Sequence, residues 1–342
     1  MPNSDPAPLS FGRYLGLVVA LALLFLLLLG TFSVEVDPYD IWRLSARNAT
    51  NAVRPEVPYA LQRAGAILAG RLRPPQVLLI GSSRLRRGMD ERVANQLFGV
   101  PTQIAGIDLL QLPIAQEIVT QIMAPGRLKC LYIEAAFIAS QGCSPKLLRY
   151  TAPDDPWQTL PGLVLGGALD QSIATVAINA GLRPVVPPFY DRHGHYHQSD
   201  AVPAVLPFED WYVPLIADCP RQLSQMADFR LWREVLTMAR QRGIKVAILM
   251  LPFEAHWDRL VEAQDMAATV EAWKGAVKAV ARQTATPVCQ FEDWADGAPG
   301  DKPAPADGDP LPLFWDWIHF STRIGNPILA ALAAPSGRCA IP

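Results

Sequence analysis

From Leu15 to Val34 the chain reads LGLVVALALLFLLLLGTFSV, an apolar run without a charged residue. An α-helix needs about 20 apolar residues to cross the hydrocarbon core of a bilayer, so this run is long enough to span. No polar face interrupts it, which separates it from the amphipathic helix of a soluble core. The run exceeds the apolar stretch of a secretory leader and no small-x-small cleavage site comes after it, so an uncleaved anchor is expected in place of a cleaved leader. Arg13 precedes the run, while Glu35, Asp37 and Asp40 lie just beyond it, with Arg43 and Arg47 further on. Flanking cations therefore weigh lightly on orientation. The amino end is placed inside because a single early span exports the chain beyond it.

Beyond the anchor, Tyr59, Arg63, Ala66, Ile67 and Gly70 recur at helical spacing until Pro74-Pro75 stop the pattern. VLLIG at Val77–Gly81 is too short for an independent helix and is bounded by Pro and Gly, the mark of a buried strand. PTQIAGI (Pro101–Ile107), LKCLYIEA (Leu128–Ala135), KVAILML (Lys245–Leu251) and the shorter PVCQF (Pro287–Phe291) repeat it, and helical patterns cover Leu223–Arg242 and Ala263–Gln283. Short buried strands alternating with helices predict an α/β domain, a parallel sheet with helices on both faces. PVVPPF and HGHYH break the rhythm in the middle, which marks an insertion between core strands. The expected division is a short cytoplasmic end (1–13), a transmembrane anchor (14–34), a linker and helix (35–76), and an α/β domain (77–335) with an insertion at about 141–220.

Composition narrows the function. The formal net charge is −2 and no dense Lys/Arg block stands out, which argues against nucleic acid as a partner. The 32 prolines cluster between apolar runs and read as loop markers. The 5 cysteines contain no CxxC pair, so neither a zinc ribbon nor a thioredoxin-like motif is indicated. In an oxidising compartment Cys143 and Cys219, both in the insertion, can bridge. Cys130 and Cys289 sit inside strand-like runs and read as small buried hydrophobes, and the odd count leaves at least one thiol free. His193, His195 and His197 alternate along HGHYH, but only Asp191 joins them nearby. A solvated loop is expected there, and neither a metal nor a cofactor is expected anywhere.

In an open parallel sheet ligands bind beyond the carboxyl ends of the strands. After the first core strand comes Gly81-Ser82-Ser83-Arg84, a small-residue turn that leaves a hydroxyl exposed at a helix start. Alone this is also a common helix cap. Near the other end stands Trp315-Asp316-Trp317-Ile318-His319-Phe320-Ser321. A hydroxyl nucleophile needs a base, and the base needs a carboxylate to fix its tautomer. Asp316 and His319, three apart, can come from one turn and reach one serine.

A first-strand Gly-x-Ser turn with a late Asp-x-x-His resembles the SGNH (GDSL-type) hydrolase superfamily. Gly-Ser-Ser-Arg, an amino-terminal anchor and a closing Asp-x-x-His-Phe-Ser are similar to a narrower set, the membrane-anchored proteins of cell-surface polymer acylation of the D-alanyl-lipoteichoic acid and alginate O-acetylation types. The resemblance spans about Val77 to Asn326, its strong motifs lying at the two ends. It implies a flavodoxin-like, SGNH-type sheet and a catalytic triad of Ser83, Asp316 and His319. It implies oxyanion donors at the Ser83 and Gly106 amides; where the family places a further asparagine, the chain reads Glu134-Ala135-Ala136-Phe137. The expected activity is a serine esterase or O-acyltransferase working outside the cytoplasmic membrane on an acylated polysaccharide or glycan, with a membrane-bound acyl donor protein as a partner. The rival is a non-catalytic component that binds a glycan or a partner protein. Arg84 either binds an anionic substrate or pairs with Glu134, and the pair is preferred because a buried charge needs a partner. His256 is a candidate substrate contact or a plain helix-start residue. Trp315 and Trp317 are candidates for an aromatic wall, with core packing the simpler account.

Overall fold

The computed structural model describes residues 11–42, 52–139, 143, 160–186, 188–191, 196–197, 208–217, 219–223, 228–294, 313–334 and 339. Most of the expected cytoplasmic end, together with Arg43, Arg47, His193 and His195, lies outside them. In chain order the elements are α1 (Phe11–Val36), β1 (Arg54–Pro55), α2 (Tyr59–Leu72), β2 (Val77–Gly81), α3 (Ser83–Gly88), α4 (Glu91–Phe98), β3 (Thr102–Gly106), α5 (Leu112–Met123) and β4 (Cys130–Glu134). Next come α6 (Leu160–Val164), α7 (Gly167–Asn179), β5 (Phe189–Tyr190), β6 (Tyr196–His197), α8 (Phe208–Ala217), α9 (Asp228–Gln241), β7 (Lys245–Met250), α10 (Ala255–Ala263), α11 (Ala267–Gln283), β8 (Val288–Gln290) and α12 (Thr322–Ala333).

Five strands form one parallel sheet in the order β3-β2-β4-β7-β8. Each strand sends alternate side chains to opposite faces, and both faces are covered, so the strands read as unbroken apolar runs. Leu78, Ile80, Leu131, Ile133 and Ile248 pack into the layer holding α5, α9 and α11. Val77, Leu79, Tyr132, Ala247 and Leu249 pack into the layer holding Ala94 of α4 and Ile324, Ile328 and Leu329 of α12. The chain leaves β2 for the edge strand β3, then crosses to β4 on the other side of β2. That reversal marks the carboxyl end of β2 as the place where a crevice is expected in such sheets, the position at which they bind ligands.

Two close approaches set the geometry around this crevice. A Cβ on Gly106 would stand 2.6 Å from the Arg86 backbone nitrogen, so α3 lies directly against the end of β3. A Cβ on Gly325 would stand 1.7 Å from the Gly88 carbonyl oxygen. Glycine at 106 lets α3 close on β3, and glycine at 325 lets α12 dock on the end of α3.

α1 extends the expected anchor at both ends and is long and apolar enough to cross a membrane. Its last turns bury Gly30, Ser33 and Val36. The described part of the insertion supplies α6, α7 and α8 and the short strands β5 and β6, which join β1 in an antiparallel sheet of order β1-β5-β6. The expected continuous helix over Ala263–Gln283 begins instead at Ala267, because Asp265 takes a left-handed conformation (φ 55°) that ends α10.

Cys143 and Cys219 form the expected bridge, across 76 positions. Cys289 is buried as read, but it is bonded to Cys339, so the reading of it as a simple buried hydrophobe is corrected. Cys130 is the free thiol among the described residues. Replacing Cys143 and Cys219 by serine should lower stability by about 2–5 kcal/mol, since the open chain regains loop entropy. A urea denaturation midpoint unchanged from wild type would contradict this.

Candidate active site

Ser82 and Ser83 divide two tasks, capping the helix and facing the base. Ser82 caps α3, its Oγ accepting from the Arg84 backbone N–H at 3.2 Å. Its own N–H and hydroxyl donate to the Glu134 carboxylate, at 2.6 and 3.1 Å. Ser83, one position on, is buried where the turn suggested an exposed hydroxyl, and faces His319 with its Oγ 2.7 Å from Nε2.

The loop carrying His319 is held by one carboxylate. Asp316 Oδ1 accepts the backbone N–H groups of Ile318 and His319, each at 2.9 Å. Its other oxygen, Oδ2, lies 2.6 Å from His319 Nδ1. The Trp315 backbone N–H donates to the His319 carbonyl at 2.7 Å, and Phe314 bridges Phe320, so the turn closes on itself before Ser321 caps α12. Burial alone would raise Asp316, but His319 and the two backbone donors hold its carboxyl well below the usual carboxylate range. Burial pushes His319 down from its ordinary value; Asp316 pulls the other way, and the Arg87 cation adds to the fall. A neutral ring with its Nδ1–H toward Asp316 would leave Nε2 to accept from Ser83.

Arg84 is enclosed, not presented to the crevice. Its guanidinium pairs with Glu134 at 3.1 Å, donates to the Ile318 carbonyl at 3.0 Å and to the Pro252 carbonyl, and lies 3.8 Å over the Phe253 ring. One buried side chain thus ties β4, the segment after β7 and the His319 loop to α3. This is the preferred reading of Arg84, the ion pair with Glu134.

Arg87 was not singled out in the sequence, yet its Nη1 lies 3.3 Å from both ring nitrogens of His319. The available signal was spacing: Ser83 and Arg87, four apart, share a face of α3. Glu56 steadies Arg87 at 3.3 Å and also pairs with Arg86 at 2.7 Å, while Asp108 pairs with Arg86 at 2.5 Å. Tyr196 from the insertion places its ring 5.0 Å from the Arg87 guanidinium and its hydroxyl 3.3 Å from Glu56. Tyr212 of α8 hydrogen-bonds Asp316, and burial with that neighbouring charge pushes its own hydroxyl pKa well up. The insertion therefore reaches Asp316 directly through Tyr212, and His319 indirectly through the Tyr196–Arg87 contact.

The two tryptophans flank the loop on opposite sides. Trp315 packs at 6.3 Å from Tyr196 and 6.1 Å from His197. Trp317 lies 5.9 Å from Tyr212 and stacks on His256 at 5.6 Å. His256 is the second residue of α10, exposed, with Nδ1 2.7 Å from Glu254. His197 pairs with Asp191 at 2.9 Å. Among the described residues no group of three or more His, Cys, Asp or Glu side chains is placed to hold a metal. A cavity of about 550 Å³ lies beyond α3 along the outer edge of β3, lined by Arg54, Gln62, Arg86, Gln103, Gly106 and Tyr190. It does not include Ser83 or His319. Comparison with protein-family models found no match, and no curated protein matches the chain.

Proposed function

We propose that this chain is an SGNH-type serine esterase or O-acyltransferase, anchored by α1 in the cytoplasmic membrane with its α/β domain outside. Its substrates would be acyl groups on a cell-envelope polysaccharide or glycan. The observation that carries this reading is the continuous chain Ser83 Oγ–His319–Asp316, at 2.7 and 2.6 Å, standing at the switch point of the sheet. The strand order, edge strand first and then a reversal across β2, is that of flavodoxin-like sheets and supports the family resemblance.

In this reading Ser83 Oγ attacks the acyl carbonyl while His319 Nε2 takes its proton. Asp316 holds the tautomer and stabilises the imidazolium. The Ser83 and Gly106 amides donate to the oxyanion. The intermediate collapses, the departing alcohol takes the proton from His319, and an acyl-serine remains. Water releases the acyl group as acid, or a sugar hydroxyl takes it as ester. A membrane-bound acyl donor protein fits the anchored position.

The direct test is a fluorophosphonate probe on the full chain, with the adduct mapped by mass spectrometry. A phosphonyl group on the peptide containing Ser83 is expected; an adduct elsewhere would sink the assignment. The stretch after β4, where the family carries an asparagine donor, has none, and Glu134 at the end of β4 accepts Ser82 and Arg84, which favours a second reading as a non-catalytic binder of a glycan or partner protein. Folded protein without labelling or turnover would select that reading.

A pH profile tests the base. His319 is lowered from its ordinary 6.5, so its neutral form persists into more acidic solution. The acid limb of kcat/KM should have its midpoint below pH 6.5. Removing the Arg87 charge with Arg87→Met should move that midpoint up. A midpoint that stays put would show that Arg87 does not act on the imidazole.

A further inference from the structure

The large apolar side chains exposed among the described residues gather in two places. Most are on α1, from Phe11 to Phe32, and Leu72 and Leu97 stand singly. Ile173, Leu182, Val185 and Val186 lie on α7 and the segment after it, with Leu182 79% and Val186 69% exposed. Between residues 161 and 186 the charged side chains are Asp170 and Arg183 alone. Such a cluster on a soluble surface calls for a partner.

The position of α7 on α1 says which one. A helix of 26 residues is about 39 Å long at 1.5 Å per residue. The hydrocarbon core is about 30 Å thick, so about six residues must emerge. The buried positions of α1, Gly30, Ser33 and Val36, fall at that end, and α1 packs there against α6 and α7. A Cβ on Gly30 would stand 3.0 Å from Val164. The α6–α7 unit therefore sits where α1 leaves the bilayer.

By length and apolarity Pro161–Asn179 would also pass as a span, but both ends of α7 are tethered to the stretch of chain just beyond α1. The Tyr39 hydroxyl donates to the Gly167 carbonyl at 3.4 Å. Asn179 exchanges hydrogen bonds with the Val53 backbone at 2.8 and 2.7 Å. Ser172 and Thr175 are fully buried on one face of α7, whereas the outward face carries Ile173, 51% exposed, beside the exposed Asp170.

We propose that α7 and residues 181–186 form a second membrane contact, lying against the bilayer at its acyl–headgroup boundary beside the exit of α1. At that boundary apolar side chains such as Ile173 and Leu182 enter the acyl region, while the exposed charges Asp170 and Arg183 stay at headgroup level. The contact is independent of the acyl chemistry and rests on α1 spanning the bilayer. It would fix the tilt of the domain, because a single span leaves rotation free and a second contact removes it.

The full chain, reconstituted alone in phosphatidylcholine vesicles carrying a photoactivatable group on the acyl chain, tests this. After irradiation, lipid adducts mapped by mass spectrometry are expected on α1 and on residues 173–186, with the peptide around exposed Leu97 unmodified. Leu182→Asp with Val186→Asp should remove the second set and leave the α1 adducts. Adducts confined to α1 would overturn the proposal and leave a partner protein as the occupant of this patch. No adduct on α1 would overturn it as well, since the reference span would then be absent.

Discussion

Ser83→Ala and His319→Ala are each expected to reduce turnover of p-nitrophenyl acetate by about 10⁶-fold, and Asp316→Asn by about 10⁴-fold. The size comes from how the groups share one task. Without Ser83 Oγ there is no nucleophile, and without His319 Nε2 its proton has no acceptor, so either loss stops the same step and the double variant should be little worse than the single ones. Asp316→Asn acts differently. An amide can still accept the Ile318 and His319 N–H groups that Asp316 Oδ1 now takes at 2.9 Å, so the loop can keep its shape. Its NH₂, placed where Oδ2 stands 2.6 Å from Nδ1, favours the tautomer with the proton on Nε2, which cannot accept from serine. Rates from purified, folded variants decide the matter. Additive losses, or turnover surviving Ser83→Ala, would mean that these groups do not act as a unit.

Glu134→Ala should cost about 3–5 kcal/mol of folding stability, the penalty for stranding a buried partner charge. Glu134 and Arg84 side chains are each 1% exposed, so neither can turn to water when the other is removed. Glu134 also accepts both polar groups of Ser82, which would lose their partner together. Replacing the pair by apolar residues offers no simple escape, because the Ile318 and Pro252 carbonyls that Arg84 serves would remain buried. Urea denaturation monitored by tryptophan fluorescence measures the effect. A midpoint close to wild type would show that the crevice floor admits water.

The legible parts of this molecule are those whose signal lies within one short stretch. The core strands could be read because burial on both faces makes VLLIG or KVAILML apolar without interruption. Ser83, Asp316 and His319 could be singled out because a small-residue turn and an Asp-x-x-His spacing each occupy a few adjacent positions, and the structure brings the three within hydrogen-bond distance. The illegible parts depend on distant segments meeting. Glu56, Arg87, Tyr196 and Tyr212 have no spacing in common, and β1, β5 and β6 have two residues each, too few for any periodicity. Cys339 lies 50 positions beyond Cys289, and no local pattern links them. The oxyanion donors remain expectations of the resemblance. The visible duty of Gly106 is steric, giving α3 room against β3.

The helix bearing Ser83 and the loop bearing His319 are 236 positions apart in the chain, and this separation has a consequence for the order of assembly. Synthesis delivers the amino end first, and closing a contact of such range is a late event. Until α12 seats its Gly325 against Gly88, the serine is an ordinary alcohol without a base beside it. On the proposed chemistry, a chain still being synthesised is inert, and reactivity belongs only to the finished molecule.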